Sequence, residues 1–143
     1  MAINFYFEDK KPFYLNQTFK KQWIKNCISK YNKQTGNINY IFCSDEYLLQ
    51  INKEYLKHDY YTDIITFNYC EKNIINSDIY ISIDRVKENS KEYNLAFLEE
   101  LNRVIIHGIL HLVGFKDHSD LEKIQMRKKE DICLNNYYNK KLI

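Results

Sequence analysis

Glycine and proline are scarce in this sequence, since only three of its 143 residues are glycine and one is proline. This composition argues against a collagen-like or disordered chain. No apolar run is long enough to cross a membrane, and the opening residues MAINFYFEDKK lack the basic start and apolar segment of a signal peptide. We therefore expect a globular protein that stays in the cytoplasm.

The sequence also lacks a cysteine arrangement that would hold a structural metal ion. Its four cysteines are widely spaced and include no CxxC pair, which argues against both a zinc ribbon and a disulfide framework. We expect reduced thiols at all four positions: Cys27, Cys43, Cys70 and Cys133.

Neither sign of charge dominates, because 21 basic and 19 acidic residues give a formal net charge of +2. This excess is too small to indicate a nucleic-acid partner by itself. Local basic clusters permit RNA binding without requiring it, although such clusters usually lie on solvated faces. They are Lys10–Lys11, Lys20–Lys21, Arg127–Lys129 and Lys140–Lys141.

The pattern of apolar residues predicts one α+β domain over residues 1–143. Strands and helices follow one another without strict alternation, so we expect a small mixed β-sheet of about four strands covered by helices. The predicted strands cover residues 2–8, 38–44, 64–69 and 78–83, and the predicted helices cover residues 17–33, 45–56, 84–93, 96–113 and 119–135.

Local signals mark the boundaries of these elements. Asn16 and Ser44 are predicted to cap the first two helices, and Ser119 begins a capping box before the fifth. Gly36–Asn37 predicts a turn, and residues 71–77 predict a loop. Two helices carry a stripe expected to face the core: Phe19, Trp23, Cys27 and Tyr31 on the first, and Leu48, Ile51 and Tyr55 on the second.

Two histidines stand one turn apart on the fourth predicted helix. His107 and His111 have the i, i+4 spacing that places two imidazole rings on one helix face, about as far apart as one metal ion requires. Gly114 then ends the helix, so a residue in the following loop can complete a three-ligand site. Three protein ligands leave one tetrahedral zinc position free, which is the arrangement of catalytic sites.

Asp117 or His118 can supply the third ligand. Asp117 lies six positions after His111 and has a carboxylate, which is an accepted zinc ligand, whereas His118 lies seven positions after it and is favoured by residue type. We predict a metal site at the end of a core helix formed by His107, His111 and either Asp117 or His118. If Asp117 binds the metal, His118 is free to act as a catalytic proton shuttle.

Gly108 follows the first histidine at the position where HExxH metalloproteases carry their glutamate base. Glycine cannot take a proton from water, so the sequence argues against peptide hydrolysis. The short chain also leaves no room for a domain that would form a peptide cleft. A metalloprotease is therefore the least favoured function.

The segment HGILHLVGFKDH, residues 107–118, resembles the HGxLHLxGxxH signature of the YbeY family. Members of this family are bacterial single-strand-specific endoribonucleases that act as ribosomal RNA maturation factors. Three further segments between residues 52 and 131 are similar to parts of the family pattern, and the leading strand-helix-strand also fits, so the likeness extends over the whole chain. They are NKEYLKHDYYTDIITFNY at 52–69, SDIYIS at 77–82 and MRKKED at 126–131.

The resemblance implies an α+β fold, one zinc ion per chain and single-stranded RNA as the substrate. It also implies a role in ribosomal RNA processing at the 3′ end of 16S rRNA and in ribosome quality control, with the small ribosomal subunit as partner. Neither DNA nor a membrane is expected as a partner. The alternative is a non-catalytic, zinc-stabilised ribosome-assembly factor, because a metal site without an evident base can also be structural.

The chain departs from the family pattern at three positions. Leu56 stands where many members carry an arginine that is a candidate phosphate contact, and the neighbouring Lys57 and His58 are possible substitutes. Ser77 replaces a glycine, and Asp117 stands at the position of the third histidine, six residues after His111. The resemblance therefore favours the spacing of Asp117 and implies His107, His111 and Asp117 as the metal ligands, with His118 as the alternative third ligand.

Two aspartates match the family pattern outside the histidine motif. Thr62 and Asp63 match its Thr-Asp pair, and Asp78 matches the aspartate of its Gly-Asp-Ile strand. Because an aspartate at the start of a strand usually caps a turn, we predict structural roles for Asp63 and Asp78, with a functional role near the metal as the alternative for Asp63.

Overall fold

The computed structural model describes residues 2–139, so the predicted basic cluster Lys140–Lys141 lies outside the described residues. Strands and helices mix along this range as predicted. In chain order they are β1 (Ile3–Phe7), α1 (Gln17–Lys30), β2 (Gln34–Cys43), α2 (Asp45–Leu56), β3 (Ile64–Asn68), β4 (Ile74–Ser82), α3 (Ile83–Glu92), α4 (Phe97–Val113) and α5 (Asp120–Asn139).

The four strands form one mixed sheet in the order β1-β2-β4-β3. The pairs β1–β2 and β2–β4 are parallel, whereas β3 runs antiparallel to β4. This arrangement confirms the predicted α+β class. Alternate residues of β2, namely Ile38, Tyr40 and Phe42, are buried in the core together with most of α4. Among the described residues, no helix is long and apolar enough to cross a membrane.

The caps that end or begin helices near the histidines agree with the sequence. Gly114 terminates α4 with a φ of 120°, a conformation that L side chains rarely adopt. Ser119 and Glu122 form the expected capping box, with reciprocal hydrogen bonds of 2.9 and 3.1 Å between side chain and backbone.

The predicted caps of the first two helices differ in outcome. The side chain of Ser44 accepts a hydrogen bond from the backbone of Tyr47, but the side chain of Asn16 makes no such bond.

The predicted turn at Gly36–Asn37 is wrong. Strand β2 runs through both residues, and its register to β4 shifts between Thr35 and Ile38. The backbone N–H of Asn37 donates to Asn76 Oδ1 at 2.8 Å, and a Cβ atom on Gly36 would lie only 2.2 Å from the same oxygen. The glycine therefore permits a close approach at a bulge, rather than a turn.

Three other boundaries differ from the sequence prediction. Helix α1 ends at Lys30 rather than residue 33, α5 continues to Asn139, and β4 already begins at Ile74 inside the predicted loop. Residues 74–77 extend the strand because they pair with β2 and β3, a long-range interaction without a local sequence signal. Tyr55 was expected to face the core but is 64% exposed, with its ring against Phe67 at the surface.

Lys20 does not lie on a solvated face, although basic clusters usually do. It is buried between α1 and α5, where its Nζ donates to Tyr137 Oη at 2.8 Å and lies 4.7 Å from the centre of the same ring. Burial lowers the pKa of Lys20 to about 8. The cost of burying the ammonium group is therefore only partly offset by its contacts with Tyr137.

This burial leads us to expect that the stability depends on pH between about pH 8, the pKa of Lys20 in the folded chain, and 10.5, the ordinary pKa of a lysine side chain. The unfolded chain binds more protons than the native chain in this window, so the contribution of Lys20 to the free energy of unfolding rises with pH. Relative to Lys20→Met, the wild type should gain roughly 2 kcal/mol between about pH 7.5 and about pH 9.5 in urea denaturation.

The control is Lys25→Met, which removes an exposed lysine from the same helix. It should leave the pH dependence of unfolding unchanged. Identical pH slopes for wild type and Lys20→Met would contradict the expected shift.

Candidate metal centre

Three potential ligand atoms converge where α4 ends. His107 and His111 lie on the final turns of this helix, with their Nε2 atoms 3.0 Å apart. The loop that follows Gly114 brings Asp117 Oδ2 to 3.3 Å from the first Nε2 atom and 3.4 Å from the second. These residues form a group that could hold a metal ion.

The second nitrogen of each ring is held by an oxygen atom. His107 Nδ1 lies 2.6 Å from Glu130 Oε2, and His111 Nδ1 lies 2.9 Å from the carbonyl oxygen of Phe115. An ionised carboxylate and a carbonyl oxygen can only accept, so each Nδ1 carries a hydrogen and donates it. In the neutral rings, both Nε2 atoms then present a lone pair to the centre of the group.

The separations within the group fit one metal ion. Three lone-pair atoms repel one another at 3.0–3.4 Å unless a cation lies between them. A tetrahedral zinc ion with Zn–N distances of about 2.0–2.1 Å places neighbouring ligand atoms about 3.3 Å apart. The donor set of two imidazoles and one carboxylate also suits such an ion.

The loop places Asp117, rather than His118, beside the two imidazoles. His118 is exposed and lies outside the potential ligand group. Asp117 Oδ2, in contrast, lies within 3.4 Å of both Nε2 atoms. This geometry agrees with the spacing argument for Asp117 and leaves the predicted role of His118 as a proton shuttle open to experiment.

Glu130 connects this group to α5. The carboxylate is buried, and besides contacting His107 it accepts a hydrogen bond of 2.8 Å from Arg103. Burial opposes protonation of His107, but the hydrogen bond to Glu130 and the charges of Glu130 and Asp117 outweigh it and raise the pKa of His107.

Sequence reasoning assigned no role to Glu130, although it lies in the MRKKED segment. One signal could have revealed it: Glu130 lies in the same stripe of α5 as the buried residues Met126, Cys133 and Leu134. A glutamate inside an apolar stripe requires a partner for its charge, and here the partners are His107 and Arg103.

A cleft of about 310 Å³ opens beside His107 and Asp117. Burial raises the pKa of two carboxyls in its wall, Asp63 and Glu100. The structural role predicted for Asp63 does not account for its place in this wall. The remaining lining residues are Ile64, Asn89, Tyr93, Arg103, Val104, Arg127 and Glu130.

Several residues that the sequence singled out lie elsewhere. Leu56, Lys57 and His58 do not line the cleft, and the ring of His58 stacks on a neighbouring tyrosine. Asp78 accepts a hydrogen bond of 3.1 Å from Asn39 across the β2–β4 pair, as expected for a structural role. These residues are therefore not brought to the metal centre.

Gly108 is glycine for a packing reason. A Cβ atom there would lie 3.0 Å from Ile64 Cδ1 and 3.2 Å from Thr66 Cγ2, so α4 is in close contact with β3 at this point. Any side chain at this position would have to fit into the packed interface between α4 and β3. The position that carries the base in HExxH proteases is thus occupied by core packing.

Comparison with known proteins agrees with this geometry. A family model described as endoribonuclease YbeY matches residues 5–138. The chain belongs to the endoribonuclease YbeY family. A YbeY endoribonuclease from Porphyromonas gingivalis is 48% identical over 132 residues, which cover 92% of this chain and 87% of that protein. One from Bacteroides fragilis is 47% identical over 134 residues, covering 94% of this chain and 96% of the relative.

A solved structure supports the fold of this YbeY family member. The solution structure of a Thermotoga maritima protein matches with a TM-score of 0.71 and 27% identity. The match covers 97% of this chain and 91% of the other. The resemblance that the histidine motif suggested is thereby confirmed at the level of family and fold.

The position of Asp117 leads to a test of the third ligand. We expect Asp117→Ala to lower zinc affinity by at least about 100-fold, because it removes one of three donors, and His118→Ala to change it less than about threefold. Zinc affinity is measured by competition with a chromophoric chelator. Loss of the metal in His118→Ala but not in Asp117→Ala would reverse the assignment.

The contact between Glu130 and His107 leads to a second test. Glu130→Gln keeps the shape of the side chain but removes its charge, so we expect zinc affinity to fall about tenfold. The matched control is Asp131→Asn, which removes the exposed carboxylate on the other side of Arg103. Equal affinities in these two variants would show that Glu130 does not orient His107.

Proposed function

We propose that the protein is a zinc-dependent endoribonuclease that cleaves single-stranded RNA. One observation carries this proposal: two imidazole nitrogens and a carboxylate oxygen converge within 3.0–3.4 Å beside an open cleft. The curated relatives are described as endoribonucleases, and their identity of 47–48% over most of the chain supports the same class of reaction here.

His107, His111 and Asp117 would hold one zinc ion per chain. When bound, such an ion lowers the pKa of water and polarises a phosphoryl oxygen. Glu130 and the Phe115 carbonyl contribute by holding both Nδ1–H groups, which keeps both Nε2 atoms directed at the same point. Preorganised ligands of this kind need little rearrangement on metal binding.

In this proposal, His118 is the catalytic residue that transfers a proton during cleavage. It adjoins Asp117 in the chain, and an imidazole can both accept and donate a proton through its ring nitrogens. Because His118 is exposed rather than part of the cleft wall, this role requires the loop after Gly114 to bring it toward the substrate. His118→Gln should then lower the rate of RNA cleavage while zinc affinity is retained.

The biological role that we propose is ribosomal RNA maturation in the cytoplasm. It comprises processing at the 3′ end of 16S rRNA and ribosome quality control, with the small ribosomal subunit as the partner. The support is the YbeY family membership of nearly the whole chain. A metalloprotease is disfavoured because Gly108 lies in the packing of α4 against β3 and leaves no base beside His107.

The experiment compares metal-replete wild type with the double variant His107→Ala/His111→Ala on labelled single-stranded RNA. We expect cleavage by the wild type and a loss of at least about 100-fold in the variant, because both imidazole ligands are gone. The control is His58→Ala, which removes a histidine that does not line the cleft and should keep full activity. Single-stranded DNA and casein are tested in parallel and should remain intact.

The contrary outcomes point to different functions. A wild type that carries stoichiometric zinc but leaves RNA intact, and unfolds more easily without the metal, would support the non-catalytic assembly factor. Casein cleavage that disappears in the double variant would support a protease.

A further inference from the structure

The wall of the cleft is acidic, which poses a problem for an RNA substrate. Four carboxylates line it, from Asp63, Glu100, Asp117 and Glu130, against two arginines among the lining residues. A metal ion at the ligand group would offset part of this charge, but only where it is bound. The phosphates next to the scissile bond would still meet carboxylates unless a cation contacts them.

Arg103 cannot be that cation, because its guanidinium is already occupied. It donates to Glu130 Oε1 at 2.8 Å and to Asp131 Oδ1 at 2.8 Å, and its side chain is only 18% exposed. Moving it to a phosphate would leave the buried Glu130 without its cation, at a considerable cost.

Arg127 is free to bind an anion. Among residues 2–139 its one ion pair is the contact with Glu130 Oε1 at 3.8 Å, and its side chain is 56% exposed. A guanidinium with this freedom can contact a phosphate through two parallel N–H groups.

Arg127 also connects the metal cleft to a second depression on α5. This neighbouring depression, of about 470 Å³, is lined by Lys123, Ile124, Arg127 and Lys128. Lys123 precedes Arg127 by four residues, so both lie on one face of the helix. Within residues 2–139, neither Lys123 nor Lys128 takes part in an ion pair. Ile124 adds an apolar surface, 54% exposed, between these cations.

We propose that Arg127 and Lys123 bind the backbone phosphates of single-stranded RNA where the strand passes from the metal cleft onto the first half of α5. Ile124 would contact a base between the two phosphates. This inference rests on the proposed endoribonuclease function and specifies how the substrate is held. Backbone phosphates carry no sequence information, so the contact supplies affinity and register rather than sequence preference.

The test is fluorescence anisotropy of a labelled single-stranded RNA with Arg127→Gln, Lys123→Gln and the control Lys25→Gln, which removes an exposed lysine on α1. Each protein is measured with and without zinc. We expect Arg127→Gln to weaken binding about tenfold and to reduce the slope of log Kd against log salt by about 0.7, the value for one phosphate contact. Lys123→Gln should act in the same direction, and Lys25→Gln should behave as wild type.

Arg127→Lys provides a second comparison, because it keeps the charge but loses the planar fork. It should retain most of the salt slope and bind more weakly than wild type. Zinc content and thermal unfolding of all variants should match the wild type, since Arg127 is half-exposed and is not a proposed ligand.

The failures of the two proposals are distinguishable. If wild type cleaves RNA while Arg127→Gln and Lys123→Gln match Lys25→Gln in affinity and salt slope, the α5 surface does not bind the substrate and this inference is overturned. If the wild type neither binds nor cleaves single-stranded RNA when loaded with zinc, the proposed function itself is wrong, and this inference falls with it.

Discussion

The geometry of the candidate metal centre depends on one buried contact, between the carboxylate of Glu130 on α5 and Nδ1 of His107 on α4. The contact fixes which nitrogen of the ring carries hydrogen, and so which nitrogen can bind a metal ion. The same carboxylate is bonded to Arg103. Removing it would leave an unoriented imidazole and would take from the partly buried Arg103 one of its two carboxylate partners, with Asp131 as the other.

This contact joins two parts of the fold that have different tasks. Helix α4 packs closely against the sheet at Gly108, and the turns of this helix on either side carry His107 and His111. Helix α5 contributes the partner of His107 from its buried stripe and exposed cations, among them Arg127, beside it. In the proposed function a single helix thus orients a potential ligand and contacts the substrate through Arg127, with Glu130 between the two roles.

Local patterns were sufficient to predict most of the fold. The strands and helices are recognisable from alternation, from apolar stripes and from caps such as Ser44 and the Ser119–Glu122 box, since these signals act over a few residues. The errors occurred where distant segments meet. Gly36 signals a turn locally but accommodates Asn76 of β4, and Lys20 looks like a surface lysine until α5 covers it.

The candidate site likewise combines features that follow from local sequence with features that depend on contacts between distant segments. A helix places residues i and i+4 on one face, so the primary structure alone was enough to pair His107 with His111 and to end their helix at Gly114. The direction in which a loop side chain points depends on its contacts, and the folded chain alone brings Asp117 rather than His118 to the imidazoles. Glu130 lies more than twenty residues from His107, and only the packing of α5 on α4 joins them.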